Sequence, residues 1–206
     1  MVKLLQVKSD NRRKEEKMRV ILNFSPRKNG NCGRTAKLIA DMTGAEVIDF
    51  AALGISPCGK CDYECFKKTE NCPHTSDGAN EVYRKITESD ETIFVVPDFC
   101  DFPCSAWFVF SERQCGYFGT DGKIAEKFNA VPKKFIAITN TNKENFVRAF
   151  GDQVNGEPDI LFLAAKDFGK ISLNGDLCDD PRVIKTIKDF MADIQPKQMI
   201  LKGENK

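Results

Sequence analysis

The sequence predicts an α/β domain built on a doubly wound parallel sheet, and three observations point to it. Short runs rich in branched and aromatic residues alternate with segments of helical spacing. The runs are short and mainly apolar, as expected of strands that are covered on both faces. The chain has 206 residues, 41% of them hydrophobic and 30% charged, which suits one globular domain and excludes a disordered chain.

Five strands are predicted, and helix-forming segments separate them. The predicted strands are 19–24, 46–50, 92–96, 134–139 and 160–165. Helical spacing is found at 35–42, 81–86, 104–113, 143–150 and 181–194. Thr43-Gly44 stops the first helix, and Pro181 suits the first turn of the last one. Together with the chain length, this order predicts a five-stranded flavodoxin-like sheet, whose ligand lies beyond the carboxyl ends of the strands.

The predicted domain occupies residues 18–196, between an N-terminal extension at 1–17 and a C-terminal tail at 197–206. The extension carries six basic and three acidic residues. It is either a segment on the domain surface or an arm that contacts a partner subunit. Its apolar stretch is too short for a signal peptide, so we expect a cytoplasmic protein with reduced thiols.

Charge and residue counts exclude several classes of function. A net charge of +1 gives no support for a nucleic-acid surface. No apolar run approaches the ~18 residues that a membrane span needs. Nine Cys against a single His nearly exclude His-based metal sites and His-dependent catalytic triads. Because nine is odd, the thiols cannot all pair within the chain, and free thiols, a metal site or a cluster stay open.

The loop between the first strand and the first helix, residues 25–31, has the composition of an anion site; we call it the first loop. Its sequence, Ser-Pro-Arg-Lys-Asn-Gly-Asn, is dense in turn formers. Backbone N–H groups at the start of the next helix favour phosphate, and Arg27 can donate to an oxyanion from two nitrogens. The Gly-x-Gly-x-x-Gly and Gly-Lys-Ser/Thr patterns are missing, which disfavours a dinucleotide-binding Rossmann domain and an NTPase. An ordinary strand–helix turn is the alternative.

The same region resembles the NADPH-dependent FMN reductase and iron–sulfur flavoprotein family. Residues 23–31, Asn-Phe-Ser-Pro-Arg-Lys-Asn-Gly-Asn, are similar to the family's Gly-Ser-Pro-Arg-x-x-Gly-Asn-Thr loop. Residues 55–61, Ile-Ser-Pro-Cys-Gly-Lys-Cys, resemble its Ile-x-Pro-Cys-x-Gly-Cys segment. Residues 95–99 fall where the family has Ser-Pro-x-Tyr, and 105–113 resemble its helix ending in Asp-Arg. The resemblance covers roughly residues 18–165.

The resemblance implies an FMN site assembled from three loops. It assigns the phosphate to Ser25, Arg27, Asn29, Asn31 and Cys32. It assigns the isoalloxazine ring to Pro97, Asp98, Phe99, Cys100, Asp101, Thr139, Asn140 and Thr141. Cys32 stands where the family has Thr, so one hydroxyl donor is lost unless Thr35 replaces it, and a helix start can lower the pKa of such a thiol. Asp98, Asp101 and Asn140 alternatively cap helices.

Four thiols lie in residues 54–77, a segment that follows the second strand and interrupts the alternation; we call it the cysteine loop. Cys58, Cys61, Cys65 and Cys72 are ligands of the kind that hold a [4Fe–4S] cluster or a tetrahedral zinc. Only one Cys-x-x-Cys pair is present, and this compact spacing favours the cluster over zinc. The family usually has two residues between its second and third Cys, whereas this chain has three. A cluster, a zinc ion and no metal all stay open.

The function that the resemblance implies is an FMN-dependent oxidoreductase. Electrons would pass from NAD(P)H or a reduced carrier protein to FMN and then to a small-molecule or protein acceptor, with no protein acid or base assigned. The first alternative is an electron carrier with a [4Fe–4S] cluster in the cysteine loop. The second is a non-enzymatic thiol or metal redox sensor. Aromatic residues between Phe94 and Phe118 predict core packing or subunit contacts, and we expect a homodimer or homotetramer.

Overall fold

The computed structural model describes residues 17–59, 61–67, 72–74, 76–119, 121–140 and 143–192. Its strands, β1 to β6, are Arg19–Asn23, Glu46–Asp49, Glu91–Phe99, Phe102–Pro103, Lys133–Ile138 and Asp159–Leu163. Its α-helices, α1 to α6, are Asn31–Thr43, Ala79–Glu88, Ser105–Phe118, Gly122–Ala130, Glu144–Gly151 and Pro181–Ala192. Residues 1–16 of the predicted extension, Thr141 and the predicted C-terminal tail lie outside the described residues.

Five parallel strands form the main sheet, in the order β2-β1-β3-β5-β6. β1 pairs with β2 and β3, and β5 pairs with β3 and β6, all in parallel register. From β1 the chain moves outward to β2 and then crosses back to β3, which reverses the direction of winding. This order confirms the predicted flavodoxin-like fold, and its switch point lies between the carboxyl ends of β1 and β3.

Two elements were not predicted from the sequence. β4 is a two-residue strand that pairs antiparallel with the end of β3, so the sheet has six strands rather than five. The turn between them places Cys100 and Asp101 at positive φ, 55° and 68°. α4 buries only Phe128, so it carries too few apolar positions to show a helical period. Both elements are too short or too polar to leave a pattern in the sequence.

Aromatic side chains fill the core on one face of the sheet. Phe94 stacks on Phe135 with 5.2 Å between ring centroids, and Trp107 meets Phe150 edge-on at 4.7 Å. The core role expected for Phe94, Trp107 and Phe110 is confirmed by their full burial. On the other face, Ile21, Ile93, Ile136 and neighbouring apolar residues form a second cluster with α1 and α6. In the described part of the chain, every helix is too short or too polar to cross a membrane.

Candidate functional site

Polar side chains hold the first loop in shape at the end of β1. Asn23 is buried there, and its Nδ2 donates to Asp49 Oδ1 at 2.8 Å. Its Oδ1 accepts from the backbone N–H of Ser25 at 3.1 Å. Ser25 Oγ in turn accepts from the backbone N–H of Arg27 at 3.2 Å, and Gly30 donates to the Arg27 carbonyl at 3.1 Å. The loop is therefore ordered by its own residues, and Asn23 also ties it to β2.

α1 begins directly after this loop without a side-chain cap. Its N-cap, Gly30, has an extended backbone and no capping hydrogen bond from a side chain. The first N–H groups of a helix have no acceptor within the helix, and the helix dipole makes this end electropositive. Together these donors suit an anionic group such as a phosphate.

A cavity of about 130 Å³ joins the first loop to the end of β3. Its lining residues are Ser25, Arg27, Gly30, Asn31, Cys32, Pro97, Asp98, Phe99, Ile138, Asn140, Ser172 and Leu173. The cavity lies at the predicted switch point, and it brings together most of the residues assigned to FMN from the sequence. Asn29, Cys100, Asp101 and Thr139 are not among its lining residues.

A second cavity lies on the other side of Phe99. It measures about 270 Å³ and is mainly apolar, with Phe24, Phe50, Cys104 and Val109 among its lining residues. Phe99 lines both cavities and is 51% exposed. A larger cleft of about 590 Å³ is lined by Met18, Arg19 and Glu46. Those residues are at the amino ends of β1 and β2, the end of the sheet at which this fold does not bind ligands.

The polar residues at the ends of β3 and β5 contact one another. Thr139 Oγ1 donates to Asp98 Oδ2 at 2.6 Å, which links the two strand ends. Asn140 Oδ1 accepts from the backbone N–H of Lys166 at 3.3 Å. The Asp101 carbonyl accepts from Asn145 Nδ2 at 2.8 Å, so this residue contacts α5 through its backbone.

The helix-cap alternatives for these residues are wrong. The residue at the N-cap of α3 is Cys104, and the one at the N-cap of α5 is Lys143. Neither helix has a side-chain capping hydrogen bond. Asp98, Asp101 and Asn140 therefore act elsewhere, and two of them line the cavity.

Residues assigned to the phosphate also have contacts that the sequence did not predict. Asn31 Nδ2 donates to the Ser172 carbonyl at 2.9 Å, and its Oδ1 accepts from the Leu177 N–H at 3.0 Å. Thr35 is fully buried, and its Oγ1 lies 3.4 Å from Cys178 Sγ. Burial and the nearby Cys104 raise the pKa of Cys32, contrary to the lowering expected at a helix start. Cys32 is thus a protonated, buried thiol.

Helix α3 holds both legs of the cysteine loop. The buried Arg113 donates to the carbonyls of Ser56 and His74, each at 2.6 Å. Glu112 Oε1 accepts from the Cys58 N–H at 2.8 Å, and the Cys72 N–H donates to the Gly116 carbonyl at 3.2 Å. The incoming and returning legs of the loop are therefore anchored within one turn and a half of the same helix.

Five thiols gather at this helix rather than the four in the predicted set. Burial raises the pKa of Cys65, and the nearby thiols Cys115, Cys58, Cys61 and Cys72 raise it further. Cys115 is on α3, one turn after Glu112, and sequence spacing gave no signal for it. A cavity of about 150 Å³ is lined by three of the loop thiols, those of Cys58, Cys61 and Cys72.

The arrangement of these thiols does not support the predicted metal site. Among the described residues, no group of three or more His, Cys, Asp or Glu side chains is placed to hold a metal ion. Cys58 is exposed, whereas Cys65 and Cys72 are buried, and all three are free thiols. The [4Fe–4S] cluster and the zinc ion remain predictions without structural support.

Comparison with known families agrees with the fold. The family model described as NADPH-dependent FMN reductase matches residues 18–104. The match spans the first loop, the cysteine loop and β3, and it confirms the resemblance drawn from the sequence. The protein is thus a flavodoxin-like domain with the sequence pattern of an FMN reductase in its first half. No curated protein matches the chain.

Solved structures share this fold at low sequence identity. The Trp repressor binding protein from Bacillus subtilis has a TM-score of 0.56 and 13% identity, over 85% of this chain and 97% of that one. The apo form of the NADH:FMN oxidoreductase EMOB has a TM-score of 0.50 and 10% identity, over 88% and 92%. RosB, solved with bound 8-demethyl-8-formylriboflavin-5'-phosphate, has a TM-score of 0.50 and 14% identity, over 92% and 98%. These similarities establish the fold alone.

Proposed function

We propose that the protein is an FMN-dependent oxidoreductase that takes electrons from NAD(P)H or a reduced carrier protein and passes them to an acceptor. One observation carries the proposal: the cavity at the switch point is lined both by Arg27 with an uncapped helix start and by Pro97–Phe99 at the end of β3. This combination suits a ligand with a phosphate at one end and a flat ring at the other. FMN is such a ligand, and when bound it supplies the redox chemistry.

The phosphate would be held by the first loop. Arg27 contributes a positive charge, and the start of α1 contributes backbone donors. Ser25 also lines this end of the cavity and is 8% exposed. Because the loop is already braced by Asn23 and Ser25, little order would have to be gained on binding.

The ring would be held by the end of β3. Pro97 lacks a backbone N–H and Phe99 has an aromatic side chain, so the wall that they form in the first cavity is apolar. Such a wall suits the apolar face of the isoalloxazine ring. Asp98, fixed by Thr139, brings a carboxylate to the same wall. The apolar cavity beyond Phe99 offers space for an electron acceptor next to this wall.

The two alternative functions make different predictions for the isolated protein. The electron-carrier alternative needs a cluster held by Cys58, Cys61, Cys65 and Cys72, and the thiols as placed do not support one. The sensor alternative needs a chain without FMN. Purification under argon followed by a visible spectrum separates the three. A two-band flavin spectrum supports the proposal, a broad brown absorbance bleached by dithionite supports the cluster, and a colourless protein that takes up no FMN contradicts both.

The sharper test is the role of Arg27. Binding of FMN is measured by quenching of flavin fluorescence in the wild type, Arg27→Ala and the matched control Lys28→Ala. We expect Arg27→Ala to weaken FMN binding by about 10- to 100-fold, the value of a charged hydrogen bond at a phosphate. Lys28 is exposed and does not line the cavity, so Lys28→Ala should change the affinity little. Equal affinities in Arg27→Ala and the wild type would show that the first loop is not the phosphate site.

The oligomeric state is part of the same proposal. Phe99, Phe102 and Phe108 remain 47–51% exposed. Exposed aromatic residues of this kind are typical of subunit contacts, and we propose a homodimer or homotetramer. Light scattering of the purified protein tests it, and a monomer at all concentrations would contradict it.

A further inference from the structure

A segment far from the first loop in sequence forms part of the first cavity. Residues 171–179, which we call the strap, follow β6 and contain two short 3₁₀ turns, Ser172–Asn174 and Leu177–Asp179. Ser172 and Leu173 line the cavity together with the first loop. The family match ends at residue 104, so the strap lies outside the matched region.

Side chains of the first loop and of α1 hold the strap in place. Arg27 Nη2 donates to the Leu173 carbonyl at 2.7 Å, and Asn31 Nδ2 donates to the Ser172 carbonyl at 2.9 Å. One turn later in α1, Arg34 Nη1 donates to the Gly175 carbonyl at 2.8 Å. The strap is therefore attached to the same loop that we assign to the phosphate.

Gly175 permits the close approach of strap and loop. It adopts a positive φ of 74°, which disfavours other residues. A Cβ atom at this position would lie 2.7 Å from the Asn29 carbonyl oxygen, well inside contact distance. The strap and the first loop thus meet backbone to backbone, and residues next to this contact have little freedom to move.

Within the first loop, Ser25 alone brings a side-chain hydroxyl to the cavity. Cys32 lines the cavity as a protonated thiol, which is a weak donor. The hydroxyl of Thr35 is engaged with Cys178. Both the nitrogen and the oxygen of the Asn31 side-chain amide form hydrogen bonds with the strap backbone. In the strap, Ser172 carries a second hydroxyl that lines the cavity, whereas its neighbour Leu173 carries an apolar side chain.

We propose that Ser172 is a specificity-determining residue for the phosphate of the flavin, and that Asn31 positions it. This inference rests on the proposed function. The Ser172 hydroxyl donates to the phosphate from the strap, next to Arg27 and the start of α1. Asn31 acts on the phosphate through Ser172, because its amide fixes the backbone of Ser172 and Leu177.

The test compares FMN with riboflavin, which has the same ring and lacks the phosphate. Dissociation constants for both flavins are measured by fluorescence quenching in the wild type, Ser172→Ala, Ser172→Thr and Asn31→Leu. We expect Ser172→Ala to weaken FMN binding by about 10-fold and to leave riboflavin binding unchanged. Ser172→Thr keeps the hydroxyl and should restore most of the preference for FMN. Asn31→Leu should lower that preference as Ser172→Ala does.

Ser111→Ala is the matched control. Ser111 lies on α3 and lines neither the first cavity nor the apolar cavity, so this variant should bind both flavins as the wild type does. An unchanged ratio of FMN to riboflavin affinity in Ser172→Ala would overturn the inference, as would an equal loss for both flavins. In either case a wild type that binds FMN would leave the proposed function standing. A wild type that binds neither flavin would overturn both.

Discussion

Arg113 and Asp77 form a buried ion pair that closes the cysteine loop on helix α3. Arg113 Nη1 lies 2.6 Å from Asp77 Oδ2, and the two side chains are 3% and 19% exposed. Burial by itself would raise the pKa of Asp77. The hydrogen bonds from Arg113 and from the Ala79 and Ser56 N–H groups outweigh it and leave the pKa below the usual value. The same guanidinium also binds the carbonyls of both legs of the loop.

Removing Arg113 should therefore cost stability and release the loop. Arg113→Ala removes the ionic partner of the Asp77 carboxylate and the guanidinium donor to two loop carbonyls, for an expected loss of about 3–5 kcal/mol in the free energy of unfolding. Urea denaturation measures the loss. Alkylation of Cys65 and Cys72, both buried in the wild type, should become faster in the folded variant.

Arg84→Ala on α2 is the control for this change. Arg84 pairs with Glu81 and Glu88 on the surface, so its loss should cost about 0–1 kcal/mol. Folding lowers the pKa of Asp77. The stabilisation that its carboxylate provides should therefore be fully present above pH ~4 and should be lost as the pH falls further. If Arg113→Ala unfolds at the same urea concentration as Arg84→Ala, the pair does not anchor the loop.

A second prediction concerns the contact between Gly116 and Cys72. A Cβ atom at position 116 would lie 2.6 Å from Cys72 Cβ, so Gly116→Ala should push the returning leg of the loop away from α3. We expect a destabilisation of about 1–3 kcal/mol and faster alkylation of Cys72. The double variant Gly116→Ala/Cys72→Gly removes the colliding atom and should recover most of the stability. Gly151→Ala, where nothing lies within 4 Å, is the control; a similar loss there would argue against a specific contact.

A third prediction concerns the charge of Asp98 beside the proposed flavin ring. A negative charge disfavours the addition of electrons, so Asp98→Asn should raise the two-electron potential of bound FMN, by on the order of 30 mV. Asparagine can still accept the hydrogen bond from Thr139, so the strand ends should remain linked. Spectroelectrochemical titration measures the potential. Asp101→Asn, at an exposed residue outside the cavity lining, should shift it less; a fall in potential in Asp98→Asn would contradict the assignment.

A fourth prediction concerns Lys133, whose ammonium group is buried at the start of β5. Burial lowers its pKa to about 8, although Nζ donates to the Phe128 and Val131 carbonyls at 2.5 and 3.1 Å. Between pH 8 and about 10.4, Lys133 is protonated more often in the unfolded chain than in the folded protein. The contribution of Lys133 to the free energy of unfolding should therefore rise with pH over this range. The rise should be about 3 kcal/mol at most, because the carbonyls partly stabilise the charge.

The measurement is urea denaturation at several pH values from 7 to 10. The stability of the wild type relative to Lys133→Met should increase across this range. Lys185→Met changes an exposed lysine on α6. The free energy of unfolding of this variant should change with pH as that of the wild type does. A constant difference between the wild type and Lys133→Met would show that Lys133 is protonated throughout.

The main sheet could be predicted because its strands are short, mainly apolar runs that alternate with segments of helical spacing. β4 could not, since two residues carry no period, and α4 could not, since it buries one apolar side chain. The first loop was recognisable because its residues are consecutive. Ser172 and Cys115 were not, because each joins its site through tertiary packing: Asn31 and Ser172 are 141 positions apart. Contacts between residues so far apart in sequence leave no local sequence pattern from which they could be predicted.

The bond from Arg27 to the Leu173 carbonyl spans 146 positions of sequence. During synthesis the first loop therefore exists long before the strap that completes its cavity. A ribosome-bound chain can form β1, β2 and β3 and still lack one wall of the pocket until residues 171–179 have emerged. The proposed cofactor should then bind late. Its binding would require the whole sheet to have assembled, because folding of the first half alone leaves the cavity incomplete.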